Sequence, residues 1–345
     1  MNRNGIVPGL LAVLTAIAVG TVLKLTSSIV LPLVIALLLS FTLSPFVDLL
    51  VRLKIPRSLA ILLVIIILLG LGFLAGLILY SSVTSLVRSW STYQARLLNL
   101  FRIAVSRYGL PSNVLAQPQV TQSIGTYAVG FFGDFVKFLG SFVLVLVFLL
   151  FMLLEKRFFR RKMFKAIQGP RTDRVLRILK QINREIGRYL TIKLLVSLAA
   201  GAAVWIGFRI IGVDFAFVWG VLTFLFNFVP AVGSLSVGVA GVLFALVQFY
   251  PVWNPVIAAG ALIVFVQIVF GSVLEPKLQG DNLNLSPVVV LFSLLIWGWL
   301  WGLMGMLLSV PLTVAMKITF ESIPGLEFIA VLMGTGYLRR PKRKP

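Results

Sequence analysis

The run Ser58-Leu59-Ala60-Ile61-Leu62-Leu63-Val64-Ile65-Ile66-Ile67-Leu68-Leu69-Gly70 opens a stretch that continues to Val87, thirty residues without a charged side chain. A helix needs about 20 predominantly apolar residues to cross a bilayer. Outward from this run, further apolar stretches occupy residues 6–23, 29–51, 135–154 and 189–211. The pattern then becomes shorter and more punctuated, with runs at 215–229, 231–250 and 256–274. The last, 287–320, contains Gly298, Gly302, Gly305 and Pro311 and reads as a bent pair of helices.

Composition agrees. Of 345 residues, 59% are hydrophobic and 12% charged. Soluble domains hold about 25% charged residues. A soluble fold of this size has no interior large enough for so much apolar surface. The expected class is an all-α integral membrane protein, a polytopic helical bundle of about eight spans with broken or re-entrant helices in its second half. The first run has Arg3 before it and an Ala16-Ile17-Ala18 triplet, but apolar sequence continues past Ala18. It reads as an uncleaved first span and not a signal peptide.

Absent residues exclude chemistries. The chain has no His and no Cys. Imidazole acid–base catalysis, thiolate nucleophiles, His or Cys metal sites and disulfides are therefore excluded. No phosphate-binding loop of the form G-x-x-x-x-G-K-[ST] occurs, so the chain is not itself an ATP-driven pump. No enzyme activity, cofactor or metal is expected.

The net charge of +21 has a location. Arg52, Lys54 and Arg57 lie between the second and third runs. Twelve cations, among them Arg177, Lys180, Arg184 and Arg188, lie between the fourth and fifth. Arg339, Arg340, Lys342, Arg343 and Lys344 close the chain. Lys and Arg concentrate in cytoplasmic loops, so these three groups and both termini are expected inside. That requires an even number of crossings, eight or ten. The charge then reports orientation and attraction to anionic lipid headgroups, and nucleic acid is not expected as a partner.

The expected organisation is residues 1–87 as N-terminal spans, 88–134 as an external amphipathic helical segment and 135–154 as a span. Residues 155–188 form a basic cytoplasmic helical segment, 189–320 a motif-rich membrane region and 321–345 a basic tail. In the external segment Trp90, Tyr93, Leu97, Phe101, Ala104 and Tyr108 share one helical face. In the basic segment Val175, Leu179, Ile182, Ile186 and Tyr189 form a second seam, with Arg174, Arg177, Arg184 and Arg188 facing away. That seam reads as a helix leading into a span, with a contact between protomers as the other reading.

Transport chemistry is expected where polar residues and helix breakers interrupt apolar runs. In Phe226-Asn227-Phe228-Val229-Pro230-Ala231-Val232-Gly233-Ser234, Pro230 withholds an N–H and disfavours helix at Val229. Irregular backbone at membrane depth survives where protein buries it or a watery cavity receives it, and transporters use such breaks to bind substrates. Asn227, Pro230, Gly233 and Ser234 are thus substrate-path or hinge candidates, against the plain reading of a packed proline kink. A second cluster, Glu275-Pro276-Lys277-Leu278-Gln279-Gly280 on to Pro287, supplies Pro276, Gly280 and Pro287 as hinge candidates. Gly302, Gly305 and Pro311 complete that set. Glu275 is the leading ion- or proton-coupling candidate, because a carboxylate near the bilayer changes protonation with its surroundings. Asp48 and Glu155 are weaker ones; Asp48 has Arg52 one turn on, and Glu155 falls at a membrane boundary. Trp297, Trp299 and Trp301 alternate and read as an interfacial belt. Leu43-Ser44-Pro45 and Leu285-Ser286-Pro287 form a faint internal echo.

Several of these motifs, in this order, resemble the autoinducer-2 exporter family, the PerM-like permeases, and most closely its TqsA-like branch. The carriers are 215–220, 227–234, Leu274 through Gly280, Ile296-Trp297-Gly298-Trp299-Leu300-Trp301-Gly302, and Gly305 through Thr313. The resemblance implies a homo-oligomeric transporter of the bacterial inner (plasma) membrane. Some relatives resemble exporters of the furanone signal autoinducer-2, others sodium/proton antiporters. Many relatives have Asn before the proline where this chain has Glu275. Three functions stand open: export of a small polar quorum-sensing signal, monovalent cation/proton antiport through Glu275, and a membrane scaffold without transport.

Overall fold

The structure is a computed structural model and describes residues 3–108, 142–155, 170–230, 232–279 and 284–335. Every regular element among them is helical. In chain order these are α1 (Arg3–Leu25), α2 (Ser27–Arg52), α3 (Arg57–Tyr108), α4 (Phe142–Glu155) and α5 (Pro170–Ile211). Then come α6 (Ala216–Phe226), α7 (Val232–Phe249), α8 (Trp253–Val266), a π-helical segment (Gln267–Leu274), α9 (Glu275–Gln279), α10 (Pro287–Ser322) and α11 (Glu327–Met333). Among the described residues six helical stretches are long and apolar enough to cross a membrane, and α4 and α6 are shorter apolar helices. The chain is a polytopic all-α membrane protein.

Its exterior agrees with lipid as the solvent. Along α3, Ile66, Phe73, Leu74 and Leu77 are all more than half exposed, as are Phe292, Leu295 and Trp299 on α10. Water would not tolerate such a surface on a soluble protein.

The chain divides into two compact units. The first holds residues 1–61, 144–191 and 281–345; the second holds 62–143 and 192–280. In the first unit, α10 packs against α1, α2 and α11. Its core joins Leu38 of α2, Ile186, Tyr189 and Leu190 of α5, and Val310, Val314 and Ile318 of α10. Ile178 and Ile182 extend that core along the early part of α5. The expected seam is corrected at one place: Leu179 is exposed, and Ile178 takes the inward position. Successive Ile178, Ile182, Ile186 and Tyr189 keep the four-three spacing of a helix face. Arg177, Lys180, Arg184 and Arg188 lie exposed on the other side.

In the second unit α7 packs between α6 and α8. Its buried face is built from Gly233, Val237, Gly238, Gly241 and Ala245, small residues that let helices approach closely. The core unites Ala200, Val204 and Phe208 of α5 with Ala216, Ala245, Ala259 and Val266. The α5–α6 turn ends α5 at Gly212, whose φ of +87° is open to glycine. Gln248 clamps this turn, donating to the Gly212 carbonyl and accepting from the Asp214 N–H, both at 2.8 Å. The outer part of α3 joins the same clasp. Tyr93 donates its hydroxyl to Asp214 Oδ2, Arg96 donates to the Gln248 carbonyl at 2.8 Å, and Tyr93 packs on Phe215 and Phe244. The amphipathic segment from residue 88 to Tyr108 is thus a direct continuation of α3. Its remainder to residue 134 lies outside the described residues, as do 156–169 of the basic segment and 336–345 of the tail.

Candidate functional site

The second unit contains a buried polar cluster assembled on one face of α5. Lys193, Ser197, Ala200, Val204 and Phe208 recur at helical spacing and are each at most 4% exposed. The apolar members bind the core, which leaves Lys193 and Ser197 needing partners there.

Ser197 finds Asn227. The Asn227 amide donates from Nδ2 to Ser197 Oγ at 2.9 Å, with both residues buried. Asn227 stands there because α6 stops at this residue. In an unbroken helix the Phe226 carbonyl would accept from residue 230, but Pro230 has no N–H. Val229 N–H bonds the Phe226 carbonyl at 2.9 Å instead, and the chain turns tightly before α7 starts at Val232. Gly233 is required at this turn. A Cβ there would run into the Phe226 carbonyl oxygen, so the two helix ends meet through bare backbone.

Lys193 finds Glu275. Nζ lies 2.5 Å from Oε1, with the two side chains 5% and 17% exposed. Gln279 donates from Nε2 to the same carboxylate oxygen at 3.0 Å. Glu275 is delivered by the π-helical segment, where its own N–H reaches the Phe270 carbonyl, five residues back. Pro276 explains the wider register. In an α-helix its ring would collide with the carbonyl four residues earlier, and one extra residue per turn removes the collision. Pro276 therefore lies within the continuous helix Trp253–Gln279, close to its end. π-Helical insertions recur at functional sites.

Between these elements lies a small, partly open cleft. Its apolar walls include Ala200, Val204, Ile263 and Phe270, and its polar groups are Thr223, Asn227, Ser234 and Gln267. Gln267 opens the π segment, and the Gly271 position lies against its amide. The cleft offers amide and hydroxyl groups without net charge, one helical turn from a neutral ion pair.

The structure thus gathers Asn227, Ser234 and Gly233 with Glu275 and Pro276 in one unit, while Pro230 forms the turn beside them. Gly280 lies outside the described residues. Asp48 and Glu155 are exposed, in the other unit. In the first unit Pro287 is the first residue of α10, after Ser286. The α10 helix breaks at Trp301 and Gly302, the latter at φ +61° and ψ −142°. Gly305 is buried against the Trp297 carbonyl, and Pro311, six residues further on, is also buried. The expected tryptophan belt is not one face of α10: Trp297 and Trp301, four residues apart, pack with ring centroids 5.3 Å apart, and Trp299 points to another side. Trp299 is 67% exposed under Lys24, whereas Trp301 is buried and donates Nε1–H to the Leu23 carbonyl at 3.0 Å. The Leu-Ser-Pro echo does not repeat structurally. Ser44-Pro45 sits inside α2, and Ser286-Pro287 begins a helix.

Sequence reasoning missed Lys193, Ser197, Gln267 and Lys317. Lys317, 5% exposed in α10, donates to the Asn284 carbonyl at 2.6 Å. The signal for both lysines was present, since each is a lone cation inside an apolar helical run.

Two interrupted helices, a polar cleft between them and a lipid-compatible exterior define a membrane permease. The sequence profile described as AI-2E family transporter matches residues 11–325, and the chain belongs to that family. It is 35% identical over 311 residues to a protein of Borreliella burgdorferi provisionally named as a transport protein, covering 90% of this chain and 86% of that one. It is 33% identical over 325 residues to the provisionally named transport protein YhhT of Escherichia coli, covering 92% and 90%. It is 31% identical over 322 residues to the AI-2 transport protein TqsA of Escherichia coli, covering 90% and 91%.

Proposed function

We propose that this chain is a secondary transporter that exports a small, uncharged polar solute such as autoinducer-2 across the bacterial inner membrane. The carrying observation is the cleft at the α6–α7 break, where Asn227, Ser234 and Gln267 present hydrogen-bonding groups with no net charge. Such groups match a hydroxyl-rich solute, and broken helices are the usual means of exposing them at membrane depth. A relative named for autoinducer-2 transport supports the choice of solute. Catalysis has no part in this reading. The termini and the Arg177, Lys180, Arg184 and Arg188 stripe face the cytoplasm and anionic headgroups. Assembly is as a homo-oligomer. The test is deletion and overexpression of the gene with external autoinducer-2 followed over time; unchanged export in both strains refutes the reading.

One observation favours cation/proton antiport as a second reading: Glu275 is a largely buried carboxylate beside the cleft. Against it, the Lys193 ammonium already holds that carboxylate. Inverted vesicles separate the two, since antiport requires sodium or lithium to collapse an imposed pH gradient and Glu275→Gln to abolish the response.

A further inference from the structure

We infer that Lys193 is the built-in counter-cation of Glu275, so that the chain moves its solute without a co-transported monovalent cation and acquires cation dependence when the ammonium is removed. The inference rests on the proposed transport of a small polar solute.

A carboxylate drawn out of water needs a compensating positive charge close by. Within a membrane protein that charge comes either from a bound ion, whose arrival and departure then become part of the transport cycle, or from a side chain that never leaves. Here the second arrangement is built. The ammonium is tethered to α5 and contacts Glu275 Oε1, and the Gln279 amide completes the contact at the same oxygen. The place a cation would take beside that oxygen is filled. Lys277, the nearest other cation in sequence, is exposed and is not the partner of Glu275. Lys193 is also one turn from Ser197, which holds Asn227, so the pair and the cleft share a single rigid helix face.

Substituting Lys193→Met keeps most of the stem and removes the charge. The variant then has a largely buried carboxylate beside a vacated space where the ammonium stood, and a small monovalent cation can restore the missing positive charge. The solute cleft itself is untouched.

The experiment uses the purified full-length protein in proteoliposomes loaded with autoinducer-2, with sodium, lithium or N-methyl-D-glucamine chloride on both sides. Wild-type efflux is expected to be equal in the three salts. Lys193→Met efflux is expected to fall at least tenfold in N-methyl-D-glucamine relative to sodium, and the Lys193→Met/Glu275→Gln double variant to lose that difference. A second readout needs no transport: sodium chloride, exchanged for N-methyl-D-glucamine chloride at constant ionic strength, raises the melting temperature of Lys193→Met by several degrees and leaves wild type and the double variant unmoved. Sodium- or lithium-dependent wild-type efflux overturns the inference, as does Lys193→Met efflux or melting indifferent to the salt. Should Lys193→Met not fold, Lys193→Gln takes its place, and the wild-type arm decides alone if neither folds. No wild-type efflux in any salt refutes the transport reading instead, while the melting comparison still judges the ion pair.

Discussion

Lys193 of α5 and Glu275 of α9, 82 residues apart in the chain, meet Nζ to Oε1 at 2.5 Å in the interior of the second unit. A buried ion pair is weak evidence of net stability, but halving one is expensive, because a charge is left without its partner. Glu275→Gln and Lys193→Met are therefore each expected to lower stability, by up to the roughly 3–5 kcal/mol typical of broken buried pairs and less where the partial exposure of Glu275 admits water. The double variant is expected to recover at least half of the larger loss. Thermal unfolding in detergent, analysed as a double-mutant cycle, measures this; additive losses would show that the two groups do not interact.

Asn227 and Ser197 form the hydrogen bond that ties the α6 break to α5. Asn227→Ala leaves a wholly buried hydroxyl without its donor, at a cost of about 1–3 kcal/mol. It also strips the cleft of one of its buried polar groups. Solute efflux is expected to fall tenfold or more, beyond what the reduced amount of folded protein explains. Efflux normalised to folded protein checks it, and an unchanged rate would remove Asn227 from the solute path.

At Gly302 the backbone enters a region essentially closed to residues with a Cβ. Gly302→Ala is expected to add about 1–3 kcal/mol of strain although the position is open and nothing would clash. Gly233→Ala fails for a different reason, overlap with the Phe226 carbonyl. Lower yields of folded protein and lower melting temperatures are expected for both, measured by fluorescence-detected size exclusion. A neutral Gly302→Ala would mean that α10 is not broken there.

The tryptophans predict unequal losses. Trp301→Phe removes a hydrogen bond to the Leu23 carbonyl from a buried ring, about 1 kcal/mol plus packing. Trp299→Phe trims an exposed ring under Lys24 and is expected to change stability by less than about 1 kcal/mol. Paired melting curves in one detergent compare them, and the reverse order would contradict the burial of Trp301 against the Leu23 carbonyl.

Because the chain has no cysteine, single cysteines report sidedness directly. Arg184→Cys is expected to react with a membrane-impermeant maleimide only in inverted vesicles, and Arg102→Cys only from the outside of intact cells. Labelling both from one side would overturn the expected orientation.

Much of the architecture was legible in the chain because the forces involved are local. A thirty-residue apolar run reads as a membrane helix whatever surrounds it. The α6–α7 break follows from Pro230 withholding one N–H, and the α10 break falls within the glycine-rich run 298–305. Asn227 and Glu275 were legible as polar groups in the wrong solvent. Leu179 was misplaced because the helix periodicity admits two adjacent residues and only packing chose Ile178. The Trp297, Trp299 and Trp301 pattern misled because alternation lines one face only in a strand; on a helix the first and third rings share a side and the second does not.

By itself, then, the sequence determined a helical membrane protein, the places where its helices break and the polar residues that had to be accommodated. Only the tertiary structure decided which of them meet. A hydropathy pattern registers that Lys193 is a cation in an apolar run, but its partner lies several helices away, beyond any periodicity. The π register imposed by Pro276 also shifts the phase of the helix bearing Glu275, so a 3.6-residue wheel misplaces the carboxylate. Local sequence sets the need for a partner, because burying a charge is costly everywhere; the packing of α5 against the Glu275 segment determines which side chain answers it.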